Sequence, residues 1–150
     1  MGVLSNLTEE IKNAMLAKDS VKLESLRAIK SAVLLAETSS GSSGKLSDQE
    51  AIKLLQRLVK QRKDSASIFK EQNRLDLAEP EEAQAKIISA FLPTQFTNEE
   101  IESAIADIIE TIGANGMKDM GKVMGIASKK LEGKADGKRI SDIVKKKLGA

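Results

Sequence analysis

Residues 97–113, TNEEIESAIADIIETIG, read as one complete helix with its start, its apolar face and its stop. Thr97 and Glu100 have the spacing of a capping box, in which the threonine hydroxyl and the glutamate carboxylate each take a backbone N–H that the first turn leaves unpaired. Ile101, Ile105, Ile108 and Ile112 then recur at the period of an α-helix with one apolar stripe. Gly113 stops it, since a residue without a Cβ takes the left-handed conformation of a helix C-terminus at low cost. Just upstream, Phe91-Leu92-Pro93 ends the preceding helix, because proline disfavours helical backbone in the residue before it. The boundary expected there separates an N-terminal helical subdomain with long linking helices, residues 1–93, from a C-terminal three-helix bundle, residues 97–150.

Moving outward, every long periodic segment has the helical period and none alternates at two, so the fold class is all-α. Leu4, Leu7, Ile11 and Met15 form a first stripe, and Asp19 or Ser20 caps a second helix with Leu23, Leu26, Ile29 and Val33 inward. Thr38 to Gly44, rich in serine and glycine, reads as a flexible loop. A second capping box, Ser47 to Glu50, opens a long helix with Ile52, Leu55, Val59, Ala66 and Phe69 on its apolar face. A fourth helix is expected to begin at Pro80, with Glu81 and Glu82 complementing its dipole. After Gly113, a sixth helix is expected from Lys118 to Glu132, with Met120, Val123, Met124, Ala127 and Leu131 inward. Gly133 closes it, and Asp136 caps a seventh carrying Ile140, Ile143, Val144 and Leu148.

Composition removes much chemistry. The 150 residues contain no cysteine and no histidine, so thiolate chemistry, disulfides, the usual general base and the commonest metal ligand are absent. No metal and no cofactor is expected. Nor is there an apolar run of about 18 residues or a charged-then-apolar leader, which implies a cytoplasmic protein with no membrane partner. Phe69, Phe91 and Phe96 are the only rings and sit among aliphatic residues, leaving no stacking platform for unpaired bases. The net charge of +2 conceals segregation: residues 1–75 carry +4, residues 76–112 carry −8 and residues 113–150 carry +6. Either the two C-terminal blocks face each other and cancel, or a basic surface is kept for an anionic partner.

No catalytic residue is assigned. Ser39 to Gly44 superficially resembles the serine loop of Ser-Ser-Lys amidases, but it lacks the positioned base and rigid oxyanion hole that a nucleophile needs. The pairs Glu9-Glu10, Glu81-Glu82 and Glu99-Glu100 are explained by helix first turns. Residues 118–125 lack the Lys-Ser/Thr and the preceding strand of a phosphate-binding P-loop.

Two constellations remain. Lys118, Lys122 and Lys129, at i, i+4 and i+11, share one helix face beside a stripe of Gly121 and Gly125, extended by Ser128. Two helical glycines cost about 1 kcal/mol each relative to alanine, so something needs the closeness they allow. Tight helix packing and close approach of a nucleic-acid backbone both satisfy that requirement. Lys134, Lys138 and Arg139 extend the basic surface. The second constellation is Arg62 and Lys63 with Asn73 and Arg74, where Arg62 interrupts an apolar stripe. It reads as structural, with Arg62 paired to a carboxylate such as Asp76, or as a phosphate contact.

Taken in order, Val59-Lys60-Gln61-Arg62-Lys63-Asp64-Ser65, Asn73-Arg74-Leu75-Asp76, Phe91-Leu92-Pro93, Lys118 to Gly125 and Gly133-Lys134-Ala135-Asp136-Gly137 resemble the YqeY-like proteins along essentially the whole chain. That family shares a domain with the tail of the B subunit of the tRNA-dependent Asp/Glu amidotransferase. The resemblance implies two helical subdomains, tRNA as partner, and association with carbon–nitrogen ligases that use glutamine as amido donor. The kinase-like ATP-binding part and the amidase subunit have no counterpart here, so a binding role transfers better than a reaction. The alternative is an accessory subunit that docks amidotransferase subunits or another translation-related protein.

Overall fold

A computed structural model describes residues 2–39 and 44–149. Its regular structure is helical: α1 (Leu7–Leu16), α2 (Ser20–Thr38), α3 (Asp48–Glu71), α4 (Leu75–Ser89), α5 (Asn98–Ile112), α6 (Met120–Lys130) and α7 (Gly137–Gly149), with a 3-10 turn at Met117–Asp119. Among the described residues there is no strand. The chain divides into two compact units, Met1–Pro93 and Thr94–Ala150.

In the first unit α3 and α4 form the main hairpin, and α2 packs on both and on α1. Leu7, Ala14, Leu26, Ile29, Leu55, Leu58, Val59, Ala85 and Ile88 make the core, with Phe91 and Leu92 against it. The α1 stripe turns differently from expectation. Ala14 is buried while Met15 is 54% exposed, because α1 meets α2 through a close contact that a small side chain permits. Asp19 caps α2 by accepting from the Lys22 N–H, and the Lys22 ammonium reaches the Glu10 carboxylate at 2.9 Å. The hydrogen bond from Lys22 to Glu10, aided by the charge of that carboxylate, raises the Lys22 pKa. The helix α2 runs through Thr38, whose hydroxyl donates to the Leu34 carbonyl. The serine-glycine run then falls on residues 40–43, outside the described residues.

The fourth helix starts five residues before Pro80. Asn73 adopts φ 57°, Asn73 N–H donates to the Lys70 carbonyl and Arg74 N–H to that of Phe69 at 2.7 Å, the pairing of a Schellman stop. This reverses the chain within three residues and lets α4 begin at Leu75. Pro80 therefore lies inside the helix, where its nitrogen cannot donate to the Asp76 carbonyl. Glu81 and Glu82 are consequently not first-turn residues, and Glu82 instead forms an ion pair with Lys70 of α3.

In the second unit α5, α6 and α7 pack pairwise. Ile101, Ile105 and Ile108 meet Val123, Ala127 and Leu131, with Ala135, Ile140, Val144 and Leu148 completing the core. Both capping boxes are closed in both directions, at Ser47–Glu50 and at Thr97–Glu100. Gly113 stops α5 in the left-handed conformation, at φ 66°.

Candidate nucleic-acid interface

The second unit is pinned where its ends meet. The Phe96 N–H donates to the Lys134 carbonyl at 2.8 Å, and the Gln95 side-chain amide donates to the Gly133 carbonyl at 2.7 Å. Gly133 holds φ 78°, a left-handed conformation that glycine adopts without strain. Arg139 donates to the Phe96 carbonyl at 3.0 Å and to the Asn98 side-chain oxygen at 2.9 Å, and the Lys134 ammonium lies 5.4 Å from the centre of the Phe96 ring. Two of the expected basic contacts are thus engaged in holding the start of α5 against the turn before α7. Asp136 accepts from the Lys138 N–H at 2.7 Å, which leaves the Lys138 side chain exposed.

Helix α6 turns a different surface outward. Val123 and Ala127 are fully buried, so the helical period puts Lys122, Gly125 and Lys129 on the opposite side, with Gly121 and Ser128 on its flank. A Cβ placed on Gly121 or Gly125 would meet nothing within 4 Å. The packing alternative for the two glycines therefore finds no neighbour among the described residues. Lys118 lies in the 3-10 turn ahead of the helix, so helical spacing relates only Lys122 and Lys129; the sixth helix begins at Met120, because Asp119 accepts from the Asn115 N–H and braces that turn. Lys118, Lys122, Lys129 and Lys138 are exposed and form no ion pair among the described residues. The sequence pattern did not single out Ile126, 40% exposed beside Lys122 and Lys129, or Lys130. The available signal was an apolar residue off the core stripe within a lysine-rich helix.

Between α5 and α7 lies a shallow groove of about 260 Å³ lined by Asn98, Glu102, Arg139, Asp142, Ile143 and Lys146. Its mixed charges make no single-sign anion site. No group of three acidic side chains positioned to hold a metal occurs among the described residues.

The second constellation closes on itself. Arg62 of α3 donates through Nε to the Gln84 side-chain oxygen of α4 at 3.0 Å and through Nη1 to the Leu58 carbonyl at 3.2 Å. Its partner is a neutral amide, not Asp76, because Asp76 is held by Arg74. That pair is forked, with Nε to Oδ1 at 3.1 Å and Nη2 to Oδ2 at 3.0 Å. The guanidinium hydrogen bond holds the Asp76 carboxyl below the usual carboxylate range and raises the Arg74 pKa in turn. Asn73 supplies the left-handed residue of the turn, and Lys63 alone of the four projects freely from an exposed position.

With this arrangement in hand, a family model described as Yqey-like protein matches residues 4–148. The chain belongs to the YqeY-like protein family. Among YqeY-like relatives, "Altered inheritance of mitochondria protein 41, mitochondrial" of Clavispora lusitaniae is 35% identical over 116 residues, covering 75% of this chain and 66% of that protein. The protein of the same name in Pyrenophora tritici-repentis is 28% identical over 152 positions, 99% of this chain and 82% of that protein. A glutamyl-tRNA(Gln) amidotransferase subunit of Thermococcus gammatolerans is 40% identical over 73 residues, 46% of this chain but 12% of its own length. The match thus spans just under two thirds of the Clavispora relative and a small part of the Thermococcus protein.

These relatives correct one expectation. The cytoplasmic placement is overturned by relatives that match most of the chain and are mitochondrial by name. It rested on the lack of secretory and membrane-spanning signals, which says nothing about import into an organelle. No helix of the described residues is long and apolar enough to cross a membrane.

Proposed function

We propose that the chain is an RNA-binding module that holds the sugar-phosphate backbone of tRNA on the outward face of α6. The observation that carries this reading is the pair Gly121 and Gly125, open to solvent with nothing within 4 Å of a Cβ, beside lysines that form no ion pair among the described residues. Helical glycine costs about 1 kcal/mol against alanine, and no internal packing compensates here. A backbone that must come close to a bulky polyanion is served by that bareness, and the ammonium groups supply attraction. Kinship with a protein named for a tRNA-dependent amidotransferase supports tRNA as the RNA and association with amidotransferase subunits as the setting. The rings do not favour sequence readout: Phe91 and Phe96 are partly buried against their cores and Phe69 is half-buried, so shape and phosphates carry recognition.

The test is an anisotropy titration of the whole chain against tRNA and an unstructured RNA of the same length at 50 and 200 mM salt. Preference for tRNA is expected, with log affinity falling by roughly 0.7 to 0.9 per phosphate contacted for each decade of salt. Lys122→Glu with Lys129→Glu should weaken binding on the order of 10- to 100-fold and leave unfolding nearly unchanged, since both side chains are solvated. Affinity indifferent to salt sinks the reading. Absence of binding to either RNA at low salt transfers it to a protein partner, recoverable after nuclease treatment.

A further inference from the structure

The second unit carries its charge in an unusual distribution. Residues 94–150 hold 10 basic and 9 acidic side chains, so the unit is nearly neutral, yet α5 contains five carboxylates and no cation. The ion pair described between α5 and the basic helices is Glu102 with Lys146, at 4.0 Å. Glu99, Asp107 and Glu110 are exposed and have no ion pair among the described residues, although their neighbours in the bundle are rich in lysine. Local helix chemistry explains Glu99, which lies in the first turn of α5. It explains neither Asp107 nor Glu110, which lie toward the C-terminal end, where the helix dipole disfavours negative charge. Their carbonyls are engaged by Thr111 and Gly113, but their carboxylates are not. With Ile101, Ile105 and Ile108 inward, the period of the helix places Glu99, Ser103 and Glu110 along the outward line and Asp107 beside it.

We infer that Glu99, Asp107 and Glu110 form an exclusion surface, which confines a polyanion to the α6 side of the unit and limits the ways an RNA can lie on it. The inference rests on the RNA-binding reading and adds the determinant of its orientation. Packed helices lie about 8–10 Å apart and each is about 10–12 Å across, so the outward faces of α5 and α6 are separated by roughly 20 Å. The Debye length is about 8 Å at physiological ionic strength and about 30 Å at 0.01 M. Repulsion from α5 is therefore screened for RNA seated on α6 at high salt and felt at low salt. RNA approaching α5 itself is repelled at both.

Asp107→Asn with Glu110→Gln in the whole chain tests this, because both positions are solvent-facing, neither forms an ion pair among the described residues, and the change relieves an unfavourable dipole contact. At 10 mM salt the variant should bind the unstructured RNA about 3- to 10-fold more tightly than wild type, with a smaller preference for tRNA. At 150 mM the two should agree within about twofold. Asp107→Lys with Glu110→Lys should raise the number of RNA molecules bound per chain at saturation. Wild-type binding together with unchanged low-salt affinity and stoichiometry in both variants overturns the inference and leaves the RNA-binding reading intact. Wild-type protein that binds no RNA overturns both.

Discussion

The α3–α4 turn and the outward face of α6 both carry basic residues within stretches that mark the family, yet they treat their polar groups in opposite ways. At the turn, Arg62 is bonded to Gln84 and Leu58, Arg74 is forked onto Asp76, and Asn73 supplies the left-handed residue that reverses the chain. On α6, Lys122 and Lys129 form no ion pair among the described residues, and two glycines expose backbone to solvent. A resemblance in sequence marks both regions alike. The state of each donor separates them: satisfied groups hold the fold, and unsatisfied groups at a conformational cost indicate something outside it.

That contrast can be broken at four points. Arg62→Met has the largest expected effect on stability, about 1–2 kcal/mol in urea denaturation, because Gln84 loses its donor in a half-buried site, while RNA affinity stays unchanged. Loss of RNA binding without loss of stability would move Arg62 into the interface. Asn73→Ala should cost about 1 kcal/mol and Asn73→Gly should be neutral or stabilising, since only glycine improves on asparagine at positive φ. Equal effects of the two would show that the Asn73 side chain, not its backbone, is what matters. Gly125→Ala should stabilise the chain by about 0.5–1 kcal/mol and weaken RNA binding together, a pairing of signs that a packing role cannot produce. Destabilisation would reveal a neighbour for that position. The smallest effect concerns Asp76. Its depressed pKa means that its contribution is present above the unfolded value near 3.9 and is lost as pH falls through the lower folded value. Asp76→Asn should flatten the stability profile slightly below about pH 4 and leave it unchanged near neutrality.

What could be read from the chain alone follows the range of the interaction. Both capping boxes and the Gly113 stop were legible because their hydrogen bonds close within three or four residues. Pro80 misled because proline suits a first turn, whereas the Schellman stop around Asn73 had already set the helix origin. The Arg62 partner lay 22 residues away on another helix, and no local pattern distinguishes Gln84 from Asp76. The role of Gly121 and Gly125 was open for a related reason: spacing gives a shared stripe, but the inward direction depends on Val123 and Ala127 finding α5 and α7. Charge segregation was visible as blocks along the chain. That the acidic and basic blocks meet in one bundle with few pairs between them required the three-dimensional arrangement.

The stitching of Gln95 and Phe96 to Gly133 and Lys134 has an evolutionary consequence. Because those bonds begin two residues after Pro93, a chain joined to Thr94 from any source inherits them whole. Residues 94–150 are thereby suited to travel between genes as a portable cassette, appended to a larger enzyme without redesign of the joint.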